Sequence, residues 1–401
     1  MKKMALLLFL YFMLTSVSVS QAQGYLLGKT TKTFIDPSRN NRRIPSIIYY
    51  PATAVGSNTP IVHNGQRFPV ISFGHGFVMK SYDYKYLADA LVPLGYILIF
   101  PSTEQGIPPN HSNFGLDEAF TAKQMVSWGN TTGNFFYSAV ADKKAIGGHS
   151  MGGGATFIGA KYNPDLDAFF NLSAAETFIN ESAIVAAKRI SIPALVITGT
   201  DDHVAPPTTN SRKMFNFLNS DCKTFVNIEH GSHCQFSNVA GVCALGEVAA
   251  NLSHNENPIS RAEQHRITLS VLIPWLNFHL KEDCAAATQF ENVLSASTGF
   301  TYVDSCNAPC STLRKSTMGE VTQKIKIFPN PTSDITTIVL PNSSGGKNVQ
   351  VYAVDGKLVF NTTIPNNQYL LQIEINQWQK GMYLTRITYD DKVESVPLVV
   401  E

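Results

Sequence analysis

Ser150 sits at the centre of Gly148-His149-Ser150-Met151-Gly152, and these residue types at this spacing can present a serine hydroxyl as a nucleophile. A short apolar run, Ala145-Ile146-Gly147, precedes the pentapeptide, and Gly153-Gly154-Ala155-Thr156-Phe157-Ile158 follows it as the start of a helix. A strand, a Gly-x-Ser-x-Gly turn and a helix make a nucleophile elbow. The turn crowds its neighbours, so the flanking glycines leave room for it. The hydroxyl then emerges at a helix N-terminus, where the helix dipole favours developing negative charge.

A serine hydroxyl needs a histidine base, and the base needs a carboxylate to orient it. After an elbow of this kind the chain order is serine, acid, histidine. The apolar run 193–198 ends in Gly199-Thr200-Asp201-Asp202-His203-Val204-Ala205-Pro206, a turn at the carboxyl end of a strand. Open α/β sheets build their sites at that edge. Asp202 is preferred as the acid over Asp201, which reads as a turn-former bonded to local backbone. The run 223–228 leads into Glu229-His230-Gly231-Ser232-His233. His233 is preferred as the base because Gly231-Ser232 gives a tight approach, and His230 reads as a loop residue. His203 adjoins the acid, but no His/Cys/Asp cluster has metal-ligand spacing, so no metal is expected. Two backbone N–H groups must meet the developing oxyanion. One belongs to Met151, and the other is assigned to Phe77, which follows the run 68–73 and the small-residue turn Gly74-His75-Gly76. Phe73, Phe77 and Phe157 are candidates to line an acyl pocket, although aromatics on such elements usually belong to the core.

The elements that position these residues alternate. Strands are expected at 45–50, 68–73, 96–101, 144–148, 168–172, 194–198 and 224–228, with helices at 84–94, 116–128 and 262–280. Short apolar strands separated by helices predict a mostly parallel sheet covered on both faces. The chain of 401 residues, 44% hydrophobic, is long enough for a substantial core and more than one domain. Its net charge of +1 gives no basic face for nucleic acid. Met1-Lys2-Lys3, the apolar stretch 5–13 and Ser20-Gln21-Ala22 form a secretory signal peptide over 1–22, with the mature chain starting near Gln23. Export makes the six cysteines Cys222, Cys234, Cys243, Cys284, Cys306 and Cys310 disulfide candidates. Of fifteen connectivities, Cys234–Cys243 is preferred as a clamp on the loop after His233.

From about Pro45 to Cys306 the chain resembles the cutinase and polyester-hydrolase branch of the α/β-hydrolase superfamily. Gly76-Phe77, Gly148 to Gly154, Asn163-Pro164, Asp202 to Pro206 and Gly231-Ser232-His233-Cys234 carry the resemblance. Some of these features are shared with chlorophyllase-like and platelet-activating-factor acetylhydrolase-like esterases. The resemblance implies Ser150 as nucleophile, His233 as base, Asp202 as orienter, Phe77 and Met151 as oxyanion donors, and no cofactor. It also offers a counterpart for a Cys284–Cys306 bridge at the end of the domain, which leaves Cys222 to pair with Cys310. Polyester-degrading members carry a tryptophan that stacks on aromatic rings; here Ala175 stands in its place. Ala175 and its neighbour Glu176 are candidate substrate contacts, although capping the following helix or solvating a loop is the preferred reading of Glu176. The stretch 174–193 is too short for a multi-helix cap, so an open site suited to bulky or polymeric esters is expected.

After Cys310 the composition changes. A polar linker at 313–324 leads to alternating strands over 325–401, the pattern of a small β-sandwich. Phe328-Pro329-Asn330-Pro331-Thr332, the segment from Tyr352 through Asp355-Gly356-Lys357 to Val359, and Gly381-Met382-Tyr383 resemble a type IX secretion system C-terminal sorting domain. The expected organisation is therefore signal peptide 1–22, α/β-hydrolase domain 23–312 without a large lid, linker 313–324 and all-β sorting domain 325–401. The expected protein is a secreted or surface-attached monomeric serine carboxylic-ester hydrolase working through an acyl-enzyme. Its partners would be an ester substrate and the secretion machinery, with no nucleic acid. Lipid or phospholipid acyl hydrolysis and chlorophyllase-like activity are the alternatives within the class. A binding protein with a decayed site is the alternative outside it, and intact Ser150, Asp202 and His233 argue against it.

Overall fold

A computed structural model describes residues 24–177, 181–239, 241, 243–251, 257–306, 325–340, 345–365, 368, 370–390 and 392–401. The expected signal peptide, the linker and Cys310 lie outside the described residues. The chain opens with a hairpin, β1 (Leu26–Asp36) against β2 (Arg42–Ala52), antiparallel from Leu26 opposite Ala52 to Asp36 opposite Arg42. Asp36 closes the turn by accepting from the Ser38 N–H at 3.0 Å. The sequence reading has only the second of these strands. Leu26–Asp36 is rich in lysine and threonine and only partly buried, so it lacks the apolar run that announces an interior strand.

The alternation that follows is the one expected. The short β3 (Gly56–Ser57) precedes β4 (Phe68–Gly74), α1 (Lys85–Leu91), β5 (Ile97–Pro101), α2 (His111–Gly129), β6 (Val140–His149) and α3 (Met151–Tyr162). Then come β7 (Ala168–Leu172), α4 (Ala183–Ala187), β8 (Ala194–Gly199), α5 (Ser211–Phe217) and β9 (Lys223–Ile228). Helices α6 (Cys243–Asn251), α7 (Arg261–Lys281) and α8 (Cys284–Ala296) and strand β10 (Phe300–Asp304) complete the unit. The ten strands form one sheet in the order β10-β9-β8-β7-β6-β4-β5-β2-β1-β3. The strands from β9 across to β5 run parallel. Every residue of β4, β5, β7 and β8 is buried, which is why those strands read as continuous apolar runs. Successive side chains point to opposite faces. Phe170 therefore packs with Leu87, Leu272 and Trp275 on one side, while Phe169 packs with Met125, Phe157 and Met214 on the other. The fold is that of an α/β hydrolase. Because β4, β6, β8 and β9 are parallel, Phe77, Ser150, Asp202 and His233 all emerge at the same sheet edge.

Strand β10 was not expected, and it corrects the cysteine pairing. It lies antiparallel to β9 with Asp304 opposite Thr224. The ladder continues through the Ser305 N–H, which donates to the Lys223 carbonyl at 3.0 Å. The next opposed pair is Cys306 and Cys222, and these two are bridged. Cys284–Cys306 and Cys222–Cys310 are thereby overturned; Cys284 is disulfide-bonded as well. Cys234 is joined to Cys243, nine residues on.

The C-terminal unit is all β. Strands β11 (Lys326–Phe328), β12 (Ile335–Val339), β13 (Lys347–Ala353), β14 (Leu358–Ile364), β15 (Leu370–Glu374), β16 (Gly381–Tyr389) and β17 (Lys392–Val400) make two antiparallel sheets, β11-β12-β15 and β14-β13-β16-β17. Ile327, Ile338 and Ile373 from the first meet Val349, Val351 and Ile387 from the second in one core, a β-sandwich.

The register-matched bridge gives a direct check. Peptide mapping of the secreted protein under non-reducing conditions should recover Cys222 linked to Cys306, and a Cys284–Cys306 peptide would contradict the β9–β10 register. The Cys222→Ser/Cys306→Ser double variant should lose about 2–4 kcal/mol of stability in urea melts.

Candidate active site

The turn between β6 and α3 holds Ser150 at φ 54°, ψ −118°, a region a residue with a side chain rarely occupies. Three backbone bonds fix it there. The Ser150 N–H donates to the Leu172 carbonyl at 3.0 Å, and the Ser150 carbonyl accepts from the N–H groups of Gly154 and Ala175, both at 2.9 Å. The glycine requirement is steric at two positions. A Cβ on Gly148 would lie 2.4 Å from the carbonyl carbon of Gly152, and one on Gly152 would lie 2.4 Å from the carbonyl oxygen of Gly74.

Around this turn the expected residues converge. The Ser150 hydroxyl lies 2.9 Å from His233 Nε2, and His233 Nδ1 lies 2.7 Å from Asp202 Oδ2. Asp202 and His233 are almost wholly buried. The second oxygen of Asp202 accepts the Ala205 N–H at 2.8 Å, so the carboxylate is oriented from both ends. Asp201 and His230 make a separate pair at 3.2 Å, with the His230 side chain 68% exposed. Asp201 also accepts from the Thr200 hydroxyl at 2.7 Å.

Two supports of His233 were not foreseen. Gln264 of α7 grips the backbone of Ser232 twice: its Oε1 accepts the Ser232 N–H at 2.9 Å, and its Nε2 donates to the Ser232 carbonyl at 2.8 Å. On the other side, Glu247 of α6 accepts the Cys234 N–H at 3.1 Å, and the Cys234–Cys243 bridge ties that helix to the same loop. A glutamine in helical register with Ile267 and Val271, on the apolar face of α7, was the available signal, but the sequence does not show what it faces.

The Met151 amide opens α3, where helical N–H groups have no partner within the helix. Phe77 follows the β4 turn and is 45% exposed, whereas Phe73 and Phe157 are core residues. Ala175 backs the nucleophile turn through its N–H. Glu176 takes the capping role preferred for it over a substrate contact: Oε1 accepts from the N–H groups of Thr177 at 3.0 Å and Ala183 at 2.9 Å, and Oε2 accepts from Ile184 at 3.0 Å. Its carboxylate is occupied by the N-terminus of α4, where negative charge is favoured. Among the described residues the one grouping of metal-ligand atoms is Cys222, His279 and Cys306, and its two sulfurs are already bonded to each other.

Comparison with known proteins adds the following. A family model described as PET hydrolase-like matches residues 17–251, and one described as a secretion system C-terminal sorting domain matches residues 326–401. Cutinase est1 of Thermobifida alba is 32% identical over 94 residues, covering 23% of this chain and 30% of that protein. The cutinase of Thermobifida fusca (strain YX) is 31% identical over 94 residues, covering 23% and 29%. Chlorophyllase-1 of Arabidopsis thaliana is 29% identical over 132 residues, covering 32% and 37%. The chain spans roughly a third of the length of these curated relatives.

One further carboxyl gives the site a pH signature. Glu118 of α2 is fully buried with neither oxygen hydrogen-bonded among the described residues, and it lies against Gly74 at the end of β4. Burial pushes its pKa well above the ordinary 4.5, so the folded protein holds it protonated. Across the window from 4.5 up to that raised value the folded state binds more protons than the unfolded state, so stability falls as pH rises. Glu118→Gln removes the titration. Urea melts should show the variant gaining stability relative to the native protein between pH 5 and pH 8; an equal difference at both values would show that folding does not raise the Glu118 pKa.

Proposed function

The chain belongs to the PET hydrolase-like family, and from that premise we propose that it is an exported serine carboxylic-ester hydrolase. The observation that carries this reading is the line Ser150–His233–Asp202, with contacts of 2.9 and 2.7 Å. Ser150 Oγ attacks the ester carbonyl while His233 Nε2 takes its proton, and the carbonyl electron pair moves onto oxygen. Asp202 holds the Nδ1–H, keeping the ring in the tautomer that leaves Nε2 free to accept. The oxyanion receives the N–H groups of Phe77 and Met151, donors already aimed at the place where the charge develops. As the tetrahedral species collapses, the bond to the alkoxy oxygen breaks and His233 returns its proton to the departing alcohol. Water then repeats the sequence on the acyl-enzyme, with His233 as base, and the acid is released.

The substrate class follows from what surrounds the serine. Between β7 and β8 the described residues contain a single five-residue helix, α4, which makes no cap. An uncapped serine suits esters that are bulky or fixed in a surface. Ala175 supplies no aromatic face beside the nucleophile, which favours aliphatic over aromatic polyesters. A second reading is a chlorophyllase-like or lipid ester with a large apolar alcohol. The longer stretch shared with Chlorophyllase-1, 132 residues against 94 for the cutinases, favours it. The sorting domain at 326–401 marks the protein for export, to the medium or the cell surface.

The mature protein should cleave short p-nitrophenyl esters. Ser150→Ala should lower kcat by a factor on the order of 10⁶, and turnover retained in that variant would sink the mechanism. Erosion of an aliphatic polyester film beside short-chain cleavage supports the polymer reading. Short-chain cleavage without film erosion moves the choice to small or lipid esters.

A further inference from the structure

A second set of hydrogen bonds runs beneath the site, through residues the mechanism above does not use. Tyr84 closes the helical turn Ser81–Tyr84 ahead of α1, and His149 is the last residue of β6, directly before Ser150. Both side chains are completely buried. The Gly76 N–H donates to Tyr84 Oη at 2.8 Å. Tyr84 Oη lies 2.8 Å from His149 Nδ1, and His149 Nε2 lies 3.1 Å from the carbonyl oxygen of His233.

The acceptor at the far end fixes the protons. A carbonyl oxygen can only accept, so His149 must carry its hydrogen on Nε2 and donate to His233. Nδ1 is then a lone pair, and Tyr84 supplies the proton it needs. The other acceptor near that hydroxyl is Met79 Sδ at 3.1 Å, a thioether and much the weaker of the two. The reverse tautomer would set a bare Nε2 lone pair against the His233 carbonyl with no hydrogen between them. Protonating both nitrogens would place a cation in a fully buried site whose ring centre is 4.8 Å from that of His233. Burial in fact holds the His149 pKa well below the ordinary imidazole value, with the neighbouring His233 acting in the same direction.

We propose that Tyr84 and a neutral His149 form a positioning relay that fixes the oxyanion loop, the nucleophile and the base relative to one another. The three points it holds are Gly76, whose neighbour Phe77 supplies an oxyanion donor; His149, whose neighbour is Ser150; and the backbone of His233. These points lie on three separate segments of chain, after β4, at the end of β6 and after β9. The backbone joins the first two at one point beyond the strand ends, where the Gly152 N–H donates to the His75 carbonyl at 3.1 Å. The relay ties all three with two side chains, and it is oriented by the backbone at both of its ends. Its neutrality matters as well. His233 becomes an imidazolium in the acyl-transfer transition state, and a second cation at ring-contact distance would oppose that charge. Tyr84 and His149 touch no reacting atom. They act through the residues that do.

The inference rests on the esterase reading, and the test separates the two. On the full mature chain, kcat and KM for a short p-nitrophenyl ester are measured with thermal melts for the native protein, Ser150→Ala, Tyr84→Phe, His149→Gln, His149→Phe and Tyr84→Phe/His149→Phe. Tyr84→Phe keeps the ring and deletes one hydroxyl. It should lower kcat about 10- to 100-fold, the scale of a small misplacement of reacting groups, with KM nearly unchanged. His149→Gln, which can accept at one atom and donate at the other without charge, should retain most of the activity that His149→Phe loses. The double variant should be no slower than His149→Phe, because the relay acts as a unit. Turnover that survives Ser150→Ala overturns the esterase reading and the relay with it. Serine-dependent turnover with native kcat in folded Tyr84→Phe overturns the relay alone, even if the melting point falls. Should His149→Phe fail to fold, Tyr84→Phe and His149→Gln decide the matter.

Discussion

The backbone of Ser150, at φ 54° and ψ −118°, is the constraint on which this structure turns. A residue with a side chain held in such a region costs on the order of 1–3 kcal/mol, and it persists only where the surroundings forbid relaxation. Here the surroundings are β7, which takes the Ser150 N–H, and the segment at Ala175, which bonds its carbonyl. Relaxing the turn would also move Gly152, whose N–H donates to the His75 carbonyl and whose Cα is packed close against Gly74. The β4 turn, the β7 loop and the elbow therefore move together or not at all. The same contacts that hold the strain place the Phe77 segment beside the nucleophile. The geometry is thus set in folding, and the proposed mechanism leaves no reorganisation for the moment of reaction.

How far the sequence could foresee this depended on whether the information was local. The elbow is local: its glycines, its serine and its helix start lie within a dozen residues, and each is dictated by short-range sterics. The central strands are local too, because burial on both faces writes them as apolar runs. Asp202 and His233 were legible because each follows such a run at the edge where a parallel sheet collects its sites. What was not legible is what depends on the partner. Cys306 finds Cys222 through the register of β10 on β9, and β10 has four of its five residues exposed, so it carried no apolar signature. Gln264 grips Ser232 across 32 residues of chain. The side-chain inventory of a glutamine permits such a clamp without predicting its target.

Four carboxyls near one sheet edge show how environment rather than residue type assigns a role. Asp201 faces a solvent-exposed histidine and a hydroxyl. Glu176 meets three backbone N–H groups, two of them at a helix start, and serves as a cap. Glu118 meets no donor among the described residues and stays neutral under the turn. Asp202 is buried with one backbone N–H for one oxygen and, for the other, an imidazole that reaches Ser150.

The arrangement of Asp202 bears on why the site tolerates a carboxylate in its interior at all. Removing a charge from water is expensive, and a single ion pair seldom repays it. Asp202 is bonded at both oxygens, and the imidazole it orients is itself held on either side, by Gln264 through Ser232 and by Glu247 through Cys234. The charge is therefore met by dipoles that are already fixed in place. Asp201 is buried as well and accepts from the Thr200 hydroxyl, but the histidine it faces, His230, has a side chain 68% exposed. What separates the two pairs is therefore the burial of the His233 ring and its 2.9 Å contact with Ser150, which make it the base of the proposed mechanism.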